Sequence, residues 1–184
     1  DQSGAYSDGT LPSSYCASSH DTVVVIGDQK MNIYYASGLR YYYFQTYAVR
    51  GGTFWMRPNT SGQYPKLNAS KVVGCGTLKL AQVGLEKDGS TITVEKGVTV
   101  QFSCDGAPNG AAQDTWALDA TVNGDVLVND GVMKVYRGVT FNGKVTIGPY
   151  ATWSWLDVDG TTFNGSLEVL SGATFNVNAK TISF

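Results

Sequence analysis

Apolar and polar residues alternate along this chain in short runs, and from Thr121 onward the runs repeat. T-V-N-G-D-V-L-V at Thr121 to Val128 returns as T-F-N-G-K-V-T-I at Thr140 to Ile147 and as T-F-N-G-S-L-E-V at Thr162 to Val169. The copies start 19 and then 22 residues apart (140 minus 121, 162 minus 140), a period that suits one supersecondary unit stacked on its neighbours. The match continues past each copy. Val126, Val128, Gly131 and Val132 align with Val145, Ile147, Tyr150 and Ala151, then with Leu167, Val169, Gly172 and Ala173, and the units close on Tyr136, Trp155 and Val177. A more distant copy lies upstream at Ile92, Val94, Gly97, Val98 and Phe102.

Period-two alternation, β-branched residues and glycine-centred turns predict short strands of about five residues and an all-β chain. No stretch has a helical period. The Asn-Gly pairs at Asn123, Asn142 and Asn164 are also a strong hairpin signal, so side-chain parity has to arbitrate. In a two-residue hairpin about Asn142-Gly143, Phe141 faces Lys144 and Val139 faces Thr146, which sets apolar against polar on both faces. A three-residue loop with a bulge restores the pairing. The expected fold is therefore a β-solenoid, a β-helix-like stack of short strands, with an antiparallel β-sandwich as the alternative.

The first 73 residues have another character and are expected to form an aromatic-rich β region, separate from the repeats of residues 74–184 or part of the same domain. Tyr34, Tyr35, Tyr41, Tyr42, Tyr43, Phe44, Tyr47, Phe54 and Trp55 crowd it. Thr22–Ile26 reads as a buried strand; Met31–Tyr35, Arg40–Val49 and Thr53–Arg57 read as further strands, broken by Gly38, Gly51 and Gly52, with a loop from Pro58 to Pro65. Consecutive aromatics at Tyr41 to Phe44 exceed what one small core can bury. Tyr41, Tyr43, Trp55, Trp153 and Trp155 are accordingly the candidates for an interface or for stacking on sugar rings.

Charge changes the picture mainly by exclusion. Charged residues are only 15% of the chain and the net charge is -2, well below the roughly 25% charged content of ordinary soluble domains, which favours association. Cations and anions are scattered, so no basic stripe exists for nucleic acid. No apolar run of roughly 18 residues predicts a membrane span, and the start at Asp1, without a charged and apolar leader, reads as a processed mature chain.

Candidate chemistry is sparse. His20 is the only histidine and has no second ligand at metal spacing; no phosphate-binding glycine motif opens a helix. No cofactor and no enzyme activity are expected. Asp157 and Asp159 lie on one strand face, but D-x-D-G before a turn reads as a solvated strand end. Of three cysteines, Cys75 and Cys104 border the same strand-rich block and are expected to pair, a Cys16 to Cys75 bridge being the other choice, which leaves Cys16 for a bond to a neighbouring chain. The sequons at Asn59, Asn68 and Asn164 are glycan acceptor candidates, the first two in a loop.

The run T-[VF]-N-G-x-[VL]-x-[VI], followed by G-[AV] and an aromatic, resembles the passenger repeats of self-associating autotransporter adhesins of the diffuse-adherence type, over Thr121 to Phe184. The resemblance implies a right-handed β-helix, secretion to the cell surface, and adhesion through lateral stacking. The expected function is an extracellular structural protein that assembles with copies of itself into a fibre, sheath or layer. The alternative is a glycan-binding adhesin or tail-spike-like module.

Overall fold

The computed structural model describes residues 22–33, 44–58, 65–87, 89–104, 114–156 and 160–177. It is a β-solenoid of about 6 turns, with no helix among these residues. Every strand pair in it is parallel, so the antiparallel alternative falls. The strand lengths also differ from the expected five, because several strands run on around a corner from one face of the solenoid to the next.

Three faces result. The first stacks β1 (Thr22–Ile26), the opening halves of β3 (Phe44–Pro58) and β5 (Ala69–Ala81), then β7 (Ile92–Val94), β10 (Ala120–Val122), β12 (Thr140–Phe141) and β14 (Thr162–Phe163). The second stacks β2 (Gln29–Ile33), the closing halves of β3 and β5, β8 (Val98–Ser103), the opening halves of β11 (Val126–Val135) and β13 (Val145–Trp155), and β15 (Leu167–Val169). The third stacks β4 (Lys66–Leu67), β6 (Gly84–Leu85), β9 (Asp114–Ala117), the closing halves of β11 and β13, and β16 (Thr174–Val177). β5 crosses residues 73 and 74 without a break and pairs with β3 along its length.

Alternation builds the core because each strand sends every second side chain inward. On the first face the inward ladder reads Val23, Tyr47, Val72, Val94, Val122, Phe141, Phe163. Tyr47, Val72, Val94, Val122 and Phe141 are almost completely buried, each such apolar side chain contributing about 1.5–3 kcal/mol. Beyond the corner, the second face adds Leu80, Phe102, Val128 and Ile147 at one level, all buried. Outward, Thr22, Thr46, Lys71, Thr93, Thr121, Thr140 and Thr162 form a threonine ladder broken once by lysine.

The corner between the first two faces explains the Asn-Gly pairs. Asn142 Nδ2 donates to Asn123 Oδ1 at 2.7 Å and Asn164 Nδ2 donates to Asn142 Oδ1 at 2.7 Å, an amide ladder along the solenoid axis. The glycine beside each asparagine is needed for closeness, not for an unusual φ: a Cβ on Gly143 would lie 2.2 Å from Gly124 O, and one on Gly165 2.0 Å from Gly143 O.

Four sequence readings need correction. Thr22–Ile26 is not buried throughout, since Val24 is 48% and Ile26 67% exposed while Val25 between them is 5% exposed; an all-apolar run on this strand is only half inward. Gly51 and Gly52 do not end a strand. With φ of 73° and 66° they carry β3 around the corner, where its register with β5 shifts. The third-face alignment slips by one, because an irregularity after Val128 pairs Gly131 with Ala151 and Val135 with Trp155; Val135, not Tyr136, therefore stands level with Val177. The upstream copy is out of phase as well: Ile92 and Val94 pair with Ala120 and Val122 on the first face, and Val100 and Phe102 stand level with Val126 and Val128.

Candidate functional site

Most residues nominated from the sequence turn out to be structural or lie outside the described residues. Cys16, His20, Tyr41, Tyr43, Asn59, Asp157 and Asp159 fall in the latter group. Cys75 and Cys104 are described, and no disulfide joins them. The register gives the reason: Gly76 pairs with Val98 and Ala81 with Ser103, so the two cysteines stand at opposite ends of the second face. At roughly 3.3 Å per residue that is about 20 Å, whereas a bridge needs Cα atoms within about 7 Å.

The tryptophans behave differently from expectation too. Trp153 is fully buried and Trp155 is 6% exposed, so neither presents a ring to a sugar or a partner. Two residues apart, they share the inward face, and only Ser154 between them points out. Phe141 and Phe163 stack at 5.2 Å, Trp153 lies 5.5 Å from Phe141 and 5.7 Å from Phe163, and Phe175 stacks on Trp153 at 6.1 Å. This aromatic cluster fills the last coils, each pair adding about 0.5–1.5 kcal/mol beyond its buried area. Trp55 does point outward, yet Lys30 Nζ from one neighbouring coil and Lys79 Nζ from the other each sit 4.4 Å from its ring centroid. Its faces serve cation–π contacts within the chain.

Of the sequons, Asn68 is 2% exposed and therefore lies inside the fold, not on an accessible loop. Asn164 is exposed, and the Nδ2 to which a glycan would attach is the one that donates to Asn142.

Two places on the surface remain. The first is the last coil of the described residues, β14 to β16. Its inward residues Phe163, Leu167, Phe175 and Val177 are only partly buried, and Val169 and Leu170 are 45% and 38% exposed, where their equivalents one coil earlier are almost fully covered. At its edge Glu168 pairs with Lys144 Nζ at 2.8 Å and accepts a bond from Thr146 Oγ1. The Lys144 hydrogen bond and charge hold the Glu168 carboxyl below the usual carboxylate range.

The second is a shallow groove of about 390 Å³ on the outside of the third face, lined by Glu86, Asp114, Trp116, Leu118, Lys134 and Tyr136. No family model, curated protein or solved structure matches this chain. The groove must therefore be read on its own geometry. Trp116 lies against Gly84, where a Cβ would be 2.0 Å from its Cε2, and its Nε1 donates to Glu86 Oε2 at 2.8 Å. Lys66 Nζ pairs with Glu86 Oε1 at 3.0 Å, and Lys134 Nζ pairs with Asp114 Oδ2. Among the described residues no three His, Cys, Asp or Glu gather to hold a metal, and no helix is long and apolar enough to cross a membrane.

The groove residues escaped the sequence reading for a physical reason. Glu86, Asp114 and Lys134 come from three successive coils, 28 and 20 residues apart along the chain (114 minus 86, 134 minus 114), and only the stacking of those coils brings them together. The one local signal was the parity of D-T-W-A, which points Asp114 and Trp116 outward while Thr115 and Ala117 are buried.

Proposed function

We propose that this protein is a non-enzymatic structural subunit that polymerises head to tail, each copy laying its first described coil, β1 and β2, on the last described coil, β14 to β16, of the copy before it. The observation that carries this reading is the last of the described coils, whose inward side chains are partly exposed while those of the coils from β3 to β13 are covered. Parallel strands with unsatisfied edge N–H and C=O groups recruit a further strand, and a heterologous contact of this kind generates filaments instead of closed dimers.

The register ladders supply the partner surface. Continued into a second copy, they set Thr22 over Thr162 and Val23 over Phe163 on the first face, extending both the threonine ladder and the apolar ladder. On the second face Lys30 stands at the level of Glu168, so opposite charges meet across the junction. Glu86 and Asp114, the carboxylates nearest to a cavity, are each tied to a lysine, which supports a non-catalytic reading. Placement of the polymer at a cell surface rests on the resemblance of the repeats to adhesin passengers.

Light scattering and negative-stain microscopy of the purified chain test the proposal. Filaments should form with concentration. Glu168→Lys and Lys30→Glu should each raise the concentration needed by roughly tenfold, since reversal turns one attraction into repulsion, and the double exchange should restore assembly. A chain that stays monomeric, or that stops at dimers, overturns the reading.

A further inference from the structure

We infer that the third-face groove is a binding site for a neutral oligosaccharide, held by Trp116 as a flat platform. Three observations carry this. The indole is fixed on both counts that matter: its ring lies on Gly84, which has no side chain to lift it, and its N–H is committed to Glu86 at 2.8 Å. A ring immobilised before binding loses little entropy when a pyranose face settles on it. Trp116 stays only partly buried and lines the groove with Tyr136, so an aromatic platform and a phenolic hydroxyl border the same space.

Charge decides the ligand class. Glu86 is matched by Lys66, and Asp114 by Lys134, so the groove carries fixed charges in neutralised pairs. An acidic or basic ligand finds each of these charges already opposed by a neighbour. A polyhydroxyl ligand gains hydrogen bonds, because each carboxylate oxygen that accepts once keeps a second acceptor site, and the lysine ammonium groups and the Tyr136 hydroxyl donate. The volume of about 390 Å³ sits at the small end of ligand sites, which run from roughly 300 to 1,000 Å³, and suits a short stretch of sugar chain. The site lies on the side of the solenoid, away from its ends, so it is independent of polymerisation.

The test is a titration of the ¹⁵N-labelled full chain with neutral gluco-, xylo- and chito-oligosaccharides, followed at the indole N–H signals. The Trp116 signal should move with saturable dependence on one of these sugars, and the buried Trp153 signal should stay in place. Trp116→Ala should weaken that binding by roughly tenfold or more. Tyr136→Phe, which keeps the ring, should weaken it less, and it supplies a second variant if Trp116→Ala fails to fold. No saturable shift with any neutral saccharide at millimolar concentration overturns the inference, as does binding that Trp116→Ala and Tyr136→Phe both leave unchanged, or a shift produced only by peptides.

Discussion

The coils after Ala120 and the coils before it share one inward ladder but turn their corners by different means. Downstream, successive first-face threonines lie 19 and 22 residues apart; upstream, the spacings from Thr46 through Lys71 and Thr93 to Thr121 are 25, 22 and 28 (71 minus 46, 93 minus 71, 121 minus 93). Contact-distance glycines serve both regions, Gly97 upstream (a Cβ would lie 2.1 Å from Gly74 O) as well as Gly143 and Gly165 downstream, but the asparagine amide ladder belongs to the downstream corner. The upstream corner at Gly51-Gly52 is made by backbone in the left-handed region, and elsewhere Gln82 and Asp119 take φ of 56° and 47° despite their side chains. A solenoid thus tolerates varied corners so long as the faces keep their parity. A visible repeat arises only where the corner chemistry is also copied.

The largest expected effect separates the two kinds of glycine. Gly143→Ala drives a methyl into Gly124 O, a backbone atom at 2.2 Å, and should cost about 3 kcal/mol. Gly51→Ala meets open space, and its cost should be only that of a left-handed alanine, about 1 kcal/mol. Urea unfolding midpoints measure both, and equal losses would erase the distinction.

A smaller effect concerns the amide ladder. Asn142→Ala breaks both 2.7 Å bonds and should cost about 1 kcal/mol. Glu95 stands one step after Val94, level with Asn123, and ends the ladder upstream; Glu95→Ala should change stability by less than about 0.5 kcal/mol. The same unfolding experiment reads both, and comparable losses would show the ladder to be ornamental.

The smallest effect lies at the junction of the two regions. Asp130 Oδ1 accepts from the Ser103 hydroxyl and from the Cys104 backbone N–H, one coil upstream. Burial pushes this carboxyl up, but those donors and the Asn129 amide together hold it below its ordinary value. A carboxyl depressed in the folded state stabilises above its unfolded pKa, and the contribution fades as pH falls through the lower folded one. Asp130→Asn should therefore lower the melting temperature slightly at neutral pH, where the contribution is fully present, and flatten the acid limb, so that the variant and parent profiles converge below the ordinary carboxylate range. A pH profile identical to the parent would remove Asp130 as the clamp.

The fold was legible because alternation at Val126, Val128, Val145 and Ile147 survives any uncertainty about corners, and because the hairpin parity of Phe141 against Lys144 disfavoured the simplest antiparallel pairing. The register was less legible. One irregularity after Val128 shifted the third-face match of the first copy, while Trp155 and Val177 stayed level as aligned, and nothing in a single chain marks such a bulge. The surface was the least legible part. Trp153 and Trp155 look exposed by their number and are core, whereas Trp116, unremarked in its strand, borders the groove. Which aromatics face out depends on which strand halves lie beyond a corner, and this is set by contacts between coils many residues apart.

The hydrogen bonds of all three faces, like the Asn123–Asn142–Asn164 amides, point along the axis of the stack and across the strands. A load along that axis passes through the coil interfaces in series, so the weakest interface sets the tensile strength. A load along a strand is instead carried by covalent backbone within each coil. Matter built this way is anisotropic: stiff around its girth, and parting along its length at whichever seam between coils holds the fewest bonds.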